Sequence, residues 1–323
     1  MMNFLVYAAF FLTVALSYGI ICLGLNLQWG QTGLFNVGIA GFVALGAYTS
    51  ALLTTPDAPG RLGGFAMPFF IGWLAGAALA GLASLLTGVV ALRLRADYLA
   101  ITTFGIATAI HLVTLNAETL TGGPFGIGFI PRPFAGLESR PLIFNVANLL
   151  LLSSIVTIVY IGLERLVRGP WGRVLRSIRE DETAAISLGK NSNRFRLQSF
   201  ALGGAIMGLG GAIQAHFIGF IAPDNYLPIL TFQVWAMVIV GGSGNNLGAI
   251  LGSIVVWAIW SASGAFIGAL VQPEHQARAA ALQIVLIGIL LAAILVQRPR
   301  GILGEAMIVS RFLRKPFAIE NKK

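Results

Sequence analysis

Residues 164–196 read ERLVRGPWGRVLRSIREDETAAISLGKNSNRFR. The stretch holds eight Lys/Arg (Arg165, Arg168, Arg173, Arg176, Arg179, Lys190, Arg194, Arg196) against four acids (Glu164, Glu180, Asp181, Glu182). Only 10% of the chain is charged, where a soluble domain carries about 25%. Apolar sequence lies on both sides of the island. It reads as a polar loop between membrane segments, and the chain as an all-α polytopic membrane protein.

Outward from the island, mean hydropathy is +0.84. Crossing the hydrocarbon core takes about 20 mostly apolar residues. Runs free of Asp, Glu, Lys and Arg cover Met1–Pro56, Leu62–Leu92, Tyr98–Ala117, Pro141–Leu163, Leu197–Pro223, Asn225–Pro273 and Ala279–Gln297. The first and sixth each hold two spans, which predicts about nine transmembrane segments (8–10). One membrane-embedded domain is expected over 1–323, including the 164–196 loop and a basic tail at 297–323. The N-terminus has no basic n-region and reads as a first span rather than a cleaved signal. Cys22 is single, forms no internal disulfide and reads as an apolar filler.

The formal charge of +9 is unevenly spread. Arg93 and Arg95, the island and the tail (Arg298, Arg300, Arg311, Arg314, Lys315, Lys322, Lys323) hold seventeen of the twenty-one Lys/Arg. Basic clusters in short loops beside spans follow the positive-inside rule and argue against nucleic acid. The three clusters are therefore expected in the cytoplasm, with 55–64 and 118–140 facing outward. Two segments separate the first cluster from the second and four the second from the third, so the parity agrees. The side of the N-terminus stays open: nine spans put it outside, and a re-entrant segment near Asn26–Asn36 puts it inside.

Two Gly-rich stretches interrupt the apolar pattern without charge, LGLNLQWGQTGLFNVG (23–38) and VGGSGNNLG (240–248). Gly-interrupted segments in matching places of two halves point to a transport site. Non-helical backbone at membrane depth is tolerated only when buried in protein or lining a cavity. Asn26, Gln28, Gln31, Asn36, Asn245 and Asn246 are the candidate translocation-path residues. The other reading makes each stretch a plain surface turn. Glycines at four-residue spacing (Gly72/Gly76, Gly204/Gly208, Gly244/Gly248/Gly252, Gly264/Gly268) form small faces that let helices approach closely in lipid. The segment TLTGGPFGIGFIPRP (119–133) is turn-forming, either a contact for a delivery protein or a simple connector.

Catalytic and metal motifs are missing. Gly189-Lys190-Asn191 lacks the upstream Gly and the Ser/Thr of a phosphate-binding loop. No His-Glu-x-x-His or Cys pair is present. The apolar runs contain no Asp or Glu, whereas proton-driven carriers place such groups inside the membrane. His111 and His216 read as packing residues near helix ends. Energy is then expected from a partner, and the island is where it enters. Asp181 and Glu182 suit a helix start. Ala184, Ala185, Ile186 and Leu188 continue it, Gly189 ends it and Lys190 suits its negative end. A surface helix of two to three turns is predicted, docking on a soluble partner with flanking cations such as Arg179. The alternative is a basic loop held against anionic lipid.

The pattern Glu182-x-Ala-Ala-x-x-x-Gly189 resembles the coupling motif of ABC importer permeases. GRVLRSIREDE (172–182) through Leu188-Gly189, LNLQWGQTGLFNVG (25–38) with the following x-Ala-Gly-Phe, GGSGNNxGAIxG (241–252) and PRGIxG (299–304) together resemble the LivM-type permease subunits of the branched-chain amino acid ABC transporter family. Glu182 stands one residue further out than in the plain Glu-Ala-Ala spelling. The resemblance implies a bacterial inner-membrane permease with Gly-interrupted segments and alternating access, pairing with a second related permease subunit. Two cytoplasmic ATPase subunits would engage Arg179, Asp181, Glu182, Ala184, Ala185, Leu188 and Gly189. ATP and Mg would belong to those subunits, leaving no cofactor and no enzyme activity in this chain. A periplasmic substrate-binding protein would deliver the cargo. Urea and short amides are the alternative cargo within the class. The alternative outside it is an ion-coupled carrier or channel.

Overall fold

The computed structural model describes residues 2–57, 60, 62–94, 96–270, 275–297 and 301–305. The expected tail beyond Glu305, together with Arg95, Arg298 and Arg300, lies outside the described residues. Among the described residues the chain is helical, with only two isolated β-bridges. The helices, in chain order, are α1 Met2–Leu25, α2 Ile39–Thr54, α3 Phe69–Ala91, α4 Ala96–Asn116, α5 Glu118–Thr121 and α6 Pro141–Arg168. They continue with α7 Pro170–Glu180, α8 Glu182–Ser187, α9 Ser192–Ile218, α10 Pro228–Gly241, α11 Asn246–Leu270 and α12 Gln276–Gln297.

Six segments are long and apolar enough to cross a membrane: Phe4–Gln31, Phe69–Ala91, Asp97–Asn116, Pro141–Arg168, Ser192–Ile218 and Asn246–Gly268. The chain is an all-α polytopic membrane protein, but the described residues give six such spans against the nine expected. α2 and α10 are the main reason. They have 16 and 14 residues, or roughly 24 and 21 Å at 1.5 Å per residue, short of the ~30 Å hydrocarbon core. Irregular backbone precedes α2, and Pro228 starts α10 just after the tight helical turn Pro223–Tyr226.

α9 is the centre of the bundle and packs against α1, α2 and α3. Small residues set the spacing. A Cβ on Gly46 would stand 2.0 Å from the Gly208 carbonyl oxygen, and one on Gly208 2.2 Å from Ala80 Cβ. Gly76 and Gly204 are as tightly placed. α10 and α11 meet in the same way through Gly241, Gly248 and Gly252. Gly268 faces open space, so four-residue spacing alone does not mark an interface. His216 is fully buried in this packing. Trp73 Nε1 donates to its Nδ1 at 3.1 Å, and its Nε2 lies 3.1 Å from Thr54 Oγ1.

The predicted Gly-rich interruptions take two forms. α1 runs into a wide π-type turn, Asn26–Gln31, and irregular backbone then leads to Gly38. Gly38 sits against the Thr103 carbonyl, well inside α4. This first stretch is irregular backbone buried in protein. The second is a turn between α10 and α11, where Gly242 and Gly244 adopt φ of +110° and +82°. Asn245 caps α11 by accepting from the Leu247 and Gly248 amides at 3.0 and 3.2 Å.

Candidate functional site

The island folds into the end of α6, α7, α8 and the start of α9. Gly169 and Pro170 start α7, since Pro at the first helical position sacrifices no hydrogen bond. α7 is amphipathic and buries Leu175 and Ile178. It stops at Asp181, whose backbone is extended and whose side chain accepts from the Ala184 amide at 2.9 Å. That is an N-cap, which satisfies one orphan donor of a helix start. Gly189, at φ +77°, ends the helix with nothing near its Cβ position, and Asn191 caps α9 through the Arg194 amide. The predicted capped helix is present. It has six residues, less than the two to three turns expected, because Leu188 already leaves helical geometry ahead of the expected stop at Gly189.

The side chains of α8 divide by face. Ile186 and Leu188 are 54% and 78% exposed, and Ala184 is exposed too. Ala185 is 2% exposed. It faces the protein, so it is not a docking surface as the sequence suggested. Glu182 also turns inward. It accepts from Ser192 Oγ at 2.5 Å and pairs with Arg196 at 3.1 Å. It clamps α8 onto α9.

Arg179 connects the island to the membrane core. Its guanidinium donates to the Gly30 carbonyl in the π-type turn. It also pairs with Glu305 at 3.0 Å and with Glu180 at 3.1 Å. Its stem lies on Gly33, whose φ of +76° and missing Cβ leave room for it. Burial pulls the guanidinium pKa down, and the Glu305 and Glu180 carboxylates outweigh that and hold it above its ordinary value. Glu305 reaches this point because Ile302 and Leu303 donate their amides to the Val240 and Gly241 carbonyls at 2.8 and 2.9 Å. Gly301, at φ +68°, permits the close approach to Gly242. The closing Gly-Ile-Leu-Gly block therefore seals the C-terminal end of α10.

The two Gly-rich stretches meet beside Arg179. Asn26 donates to Asn246 Oδ1 at 2.9 Å and accepts from the Gly244 amide at 2.8 Å. Gln31 donates to the Gly244 carbonyl at 2.6 Å. Asn246 donates in turn to Glu164 Oε2 at 2.8 Å. Deeper in, Asn36 donates to Gln28 Oε1 and Gln28 to the Phe200 carbonyl, both at 2.7 Å. Asn26, Gln28 and Asn36 are fully buried. They knit helices together and do not line an open path. Gln31, Asn245 and Asn246 do border a cavity, of about 490 Å³, with Arg176 and Glu305. A second cavity of about 700 Å³ lies between Arg93, Arg179 and Arg196. Sequence reasoning missed Glu164 and Glu305 as partners of this network. Their signal was faint: Glu164 is one acid among the island's many charges, and Glu305 stands alone after the Gly301–Gly304 block.

Among the described residues no group of His, Cys, Asp and Glu could hold a metal. Arg179, Asp181 and Glu182 are committed to structural bonds. Glu182 thus ties α8 to α9, and Arg179 ties the end of α7 to the turn after α1 and to Glu305 beside the end of α10.

Residues 7–295 match the family model described as branched-chain amino acid transport system / permease component. The chain belongs to this family. It is 34% identical to the high-affinity branched-chain amino acid transport system permease protein LivM of Escherichia coli (strain K12), over 76% of this chain and 60% of that protein. It is 27% identical to the probable branched-chain amino acid transport permease protein LivM of Methanocaldococcus jannaschii, over 92% of this chain and 93% of that one. The guanosine ABC transporter permease protein NupQ of Bacillus subtilis is 29% identical over 64% of this chain. The match thus spans about 60% of the length of the E. coli relative. No solved structure matches.

Proposed function

We propose that this chain is the permease subunit of an ATP-driven importer of branched-chain amino acids, working by alternating access. The observation that carries the reading is α8: a capped helix that exposes Ile186 and Leu188 and is bolted to the core through Arg179 and Glu182. An element that only rested on anionic lipid would not need a hard link to buried backbone. On this reading two cytoplasmic ATPase subunits carry the ATP and Mg and bind the coupling loops, one of them gripping α8, and this chain hydrolyses nothing. A second related permease subunit completes the path, as the LivH relatives of Salmonella suggest by their name. A periplasmic binding protein delivers the cargo, and the exposed Phe125 and Phe129 of the outer loop (87% and 94%) are its contact.

The site is the bacterial inner membrane, with Arg93, the island and Glu305 on the cytoplasmic side. Counting α2, α10 and α12 with the six long spans gives nine segments and an outward N-terminus. Gln31, Asn245 and Asn246 border the inner part of the path. Residues 164–196 serve as the coupling loop of a single permease domain over 1–323, whose tail from 297 is cytoplasmic.

The test is uptake of leucine into proteoliposomes. The chain reconstituted with its partner permease, ATPases and binding protein should import leucine on ATP addition, and the chain alone under an ion gradient should import none. Uptake by the chain alone would point instead to an ion-coupled carrier.

A further inference from the structure

The cavity of about 700 Å³ beside Arg179 is bounded by the α3–α4 turn (Leu92, Arg93, Leu94), the end of α7 (Ile178, Arg179) and the start of α9 (Asn193, Arg196). Its size falls within the usual ligand-pocket range of about 300–1,000 Å³. Its depth is that of lipid headgroups. α3 and α4 are both long and apolar enough to cross the membrane, and Arg93 lies in the turn that joins them. Tyr98, in the first turn of α4, is 61% exposed, and Tyr is enriched at the membrane–water interface.

Three guanidiniums and one carboxylate line the cavity: Arg93, Arg179, Arg196 and Glu182. Glu182 answers Arg196 at 3.1 Å, and Glu305 and Glu180 answer Arg179. Arg93 is exposed and, among the described residues, has no ion pair or hydrogen bond. The surplus is therefore one positive charge. Donors are in surplus as well. Arg196 bonds Glu182 through Nη1 alone, which leaves its Nε and Nη2 unpaired, and neither is sealed from the surface. Apolar surface adjoins the charge. Leu94 is 39% exposed, and Val90, one turn back at the end of α3, is 68% exposed.

We propose that this cavity binds the headgroup of an anionic phospholipid, a phosphodiester such as that of phosphatidylglycerol, from the leaflet on the island's side. Arg93 supplies the countercharge. Arg196 Nε and Nη2 donate to the phosphate oxygens, and Leu94 and Val90 carry the first part of an acyl chain. Basic pockets between transmembrane helices take anionic headgroups in this way. A phosphodiester has a single negative charge, which matches the one cation to spare. Phosphatidylethanolamine brings an ammonium of its own among the guanidiniums and binds less well. Inorganic phosphate shares the anionic chemistry but leaves Leu94 and Val90 uncovered. The bound lipid joins the α3–α4 turn to the island, so membrane composition acts on the loop that the importer reading assigns to coupling. The lipid site itself does not depend on that reading.

The test uses the full-length chain in nanodiscs of equal phosphatidylglycerol and phosphatidylethanolamine, with native mass spectrometry counting the lipid each protein keeps. The wild type should retain phosphatidylglycerol preferentially. Arg93→Gln should lower that preference about fivefold, the effect of one cation near an anionic surface, and Arg93→Lys should keep most of it. Arg173→Gln removes an exposed cation outside the cavity and should change nothing. The melting temperature of Arg93→Gln in neutral detergent should match the wild type, and a lower value would show a structural role instead. Equal retention of the two lipids by the wild type, or an unchanged preference in Arg93→Gln, would overturn the site. So would equal losses in Arg93→Gln and Arg173→Gln, which mark a general surface charge. Millimolar inorganic phosphate should not displace the lipid; displacement would assign the cavity to a soluble anion. Leucine import by the assembled complex tests the importer reading separately.

Discussion

Arg179 binds three parts of the chain that are distant in sequence: the α1 turn at Gly30, the α7 terminus and Glu305. Its planar fork serves several acceptors at once, which a lysine ammonium cannot do in the same geometry. Arg179→Lys should therefore slow ATP-driven leucine uptake about tenfold or more in the assembled complex, with ATP hydrolysis reduced far less. Equal losses of both, or no loss, would show that Arg179 is not the link. Asp181 makes a smaller and more local contribution. Losing its cap should cost about 1 kcal/mol of helix stability. Hydrogen exchange at the Ala184 amide should speed up accordingly in Asp181→Ala and stay near wild type in Asp181→Asn. Residue types and spacing announced this cap and the Gly189 stop, because both are local effects. The same reasoning could not tell that Ala185 and Glu182 turn inward, since that depends on where α9 lies.

The two short helices begin side by side. The Ala40 amide, one of the donors that α2 leaves unpaired, is accepted by Thr231 Oγ1 in the first turn of α10 at 3.1 Å. α2 then runs away from the charged end of the bundle and α10 runs toward it. The sequence displayed Gly-rich interruptions before both α2 and α11, but it gave no length for α2 or α10, so each was counted as an ordinary span. Glycine spacing was a partial guide. Gly252 has the Met237 carbonyl oxygen 1.9 Å from where a Cβ would stand, and Gly268 has open space. Gly252→Ala should thus lower the melting temperature of the detergent-solubilised protein markedly, whereas Gly268→Ala should leave it within a degree or so. Comparable effects at both positions would contradict the close α10–α11 packing.

Across the whole molecule, the buried amides and the charged island form one connected structure. From the sequence these were two unrelated features, a candidate path and a candidate docking loop. Hydrogen bonds from Arg179 to Gly30, from Gln31 to Gly244, from the Gly244 amide to Asn26, and from Asn246 to Glu164 join them. Such contacts between residues up to 220 positions apart leave no periodic mark on a sequence. The membrane class and the charged loop were legible because composition and charge distribution are global properties. If α8 is where ATPase motion enters this structure, Ile186→Glu with Leu188→Glu should abolish binding-protein-stimulated ATP hydrolysis without unfolding the bundle. Both side chains point away from the core, and a charge on an exposed face costs the fold little. The most direct test is site-specific crosslinking. Cys22 is buried and is the chain's single cysteine, so a Leu188→Cys variant offers this subunit one reactive thiol. A short bifunctional thiol reagent applied to the assembled complex should join position 188 to an ATPase subunit, with ATP changing the yield. Absence of that adduct in a complex that transports leucine would contradict the account.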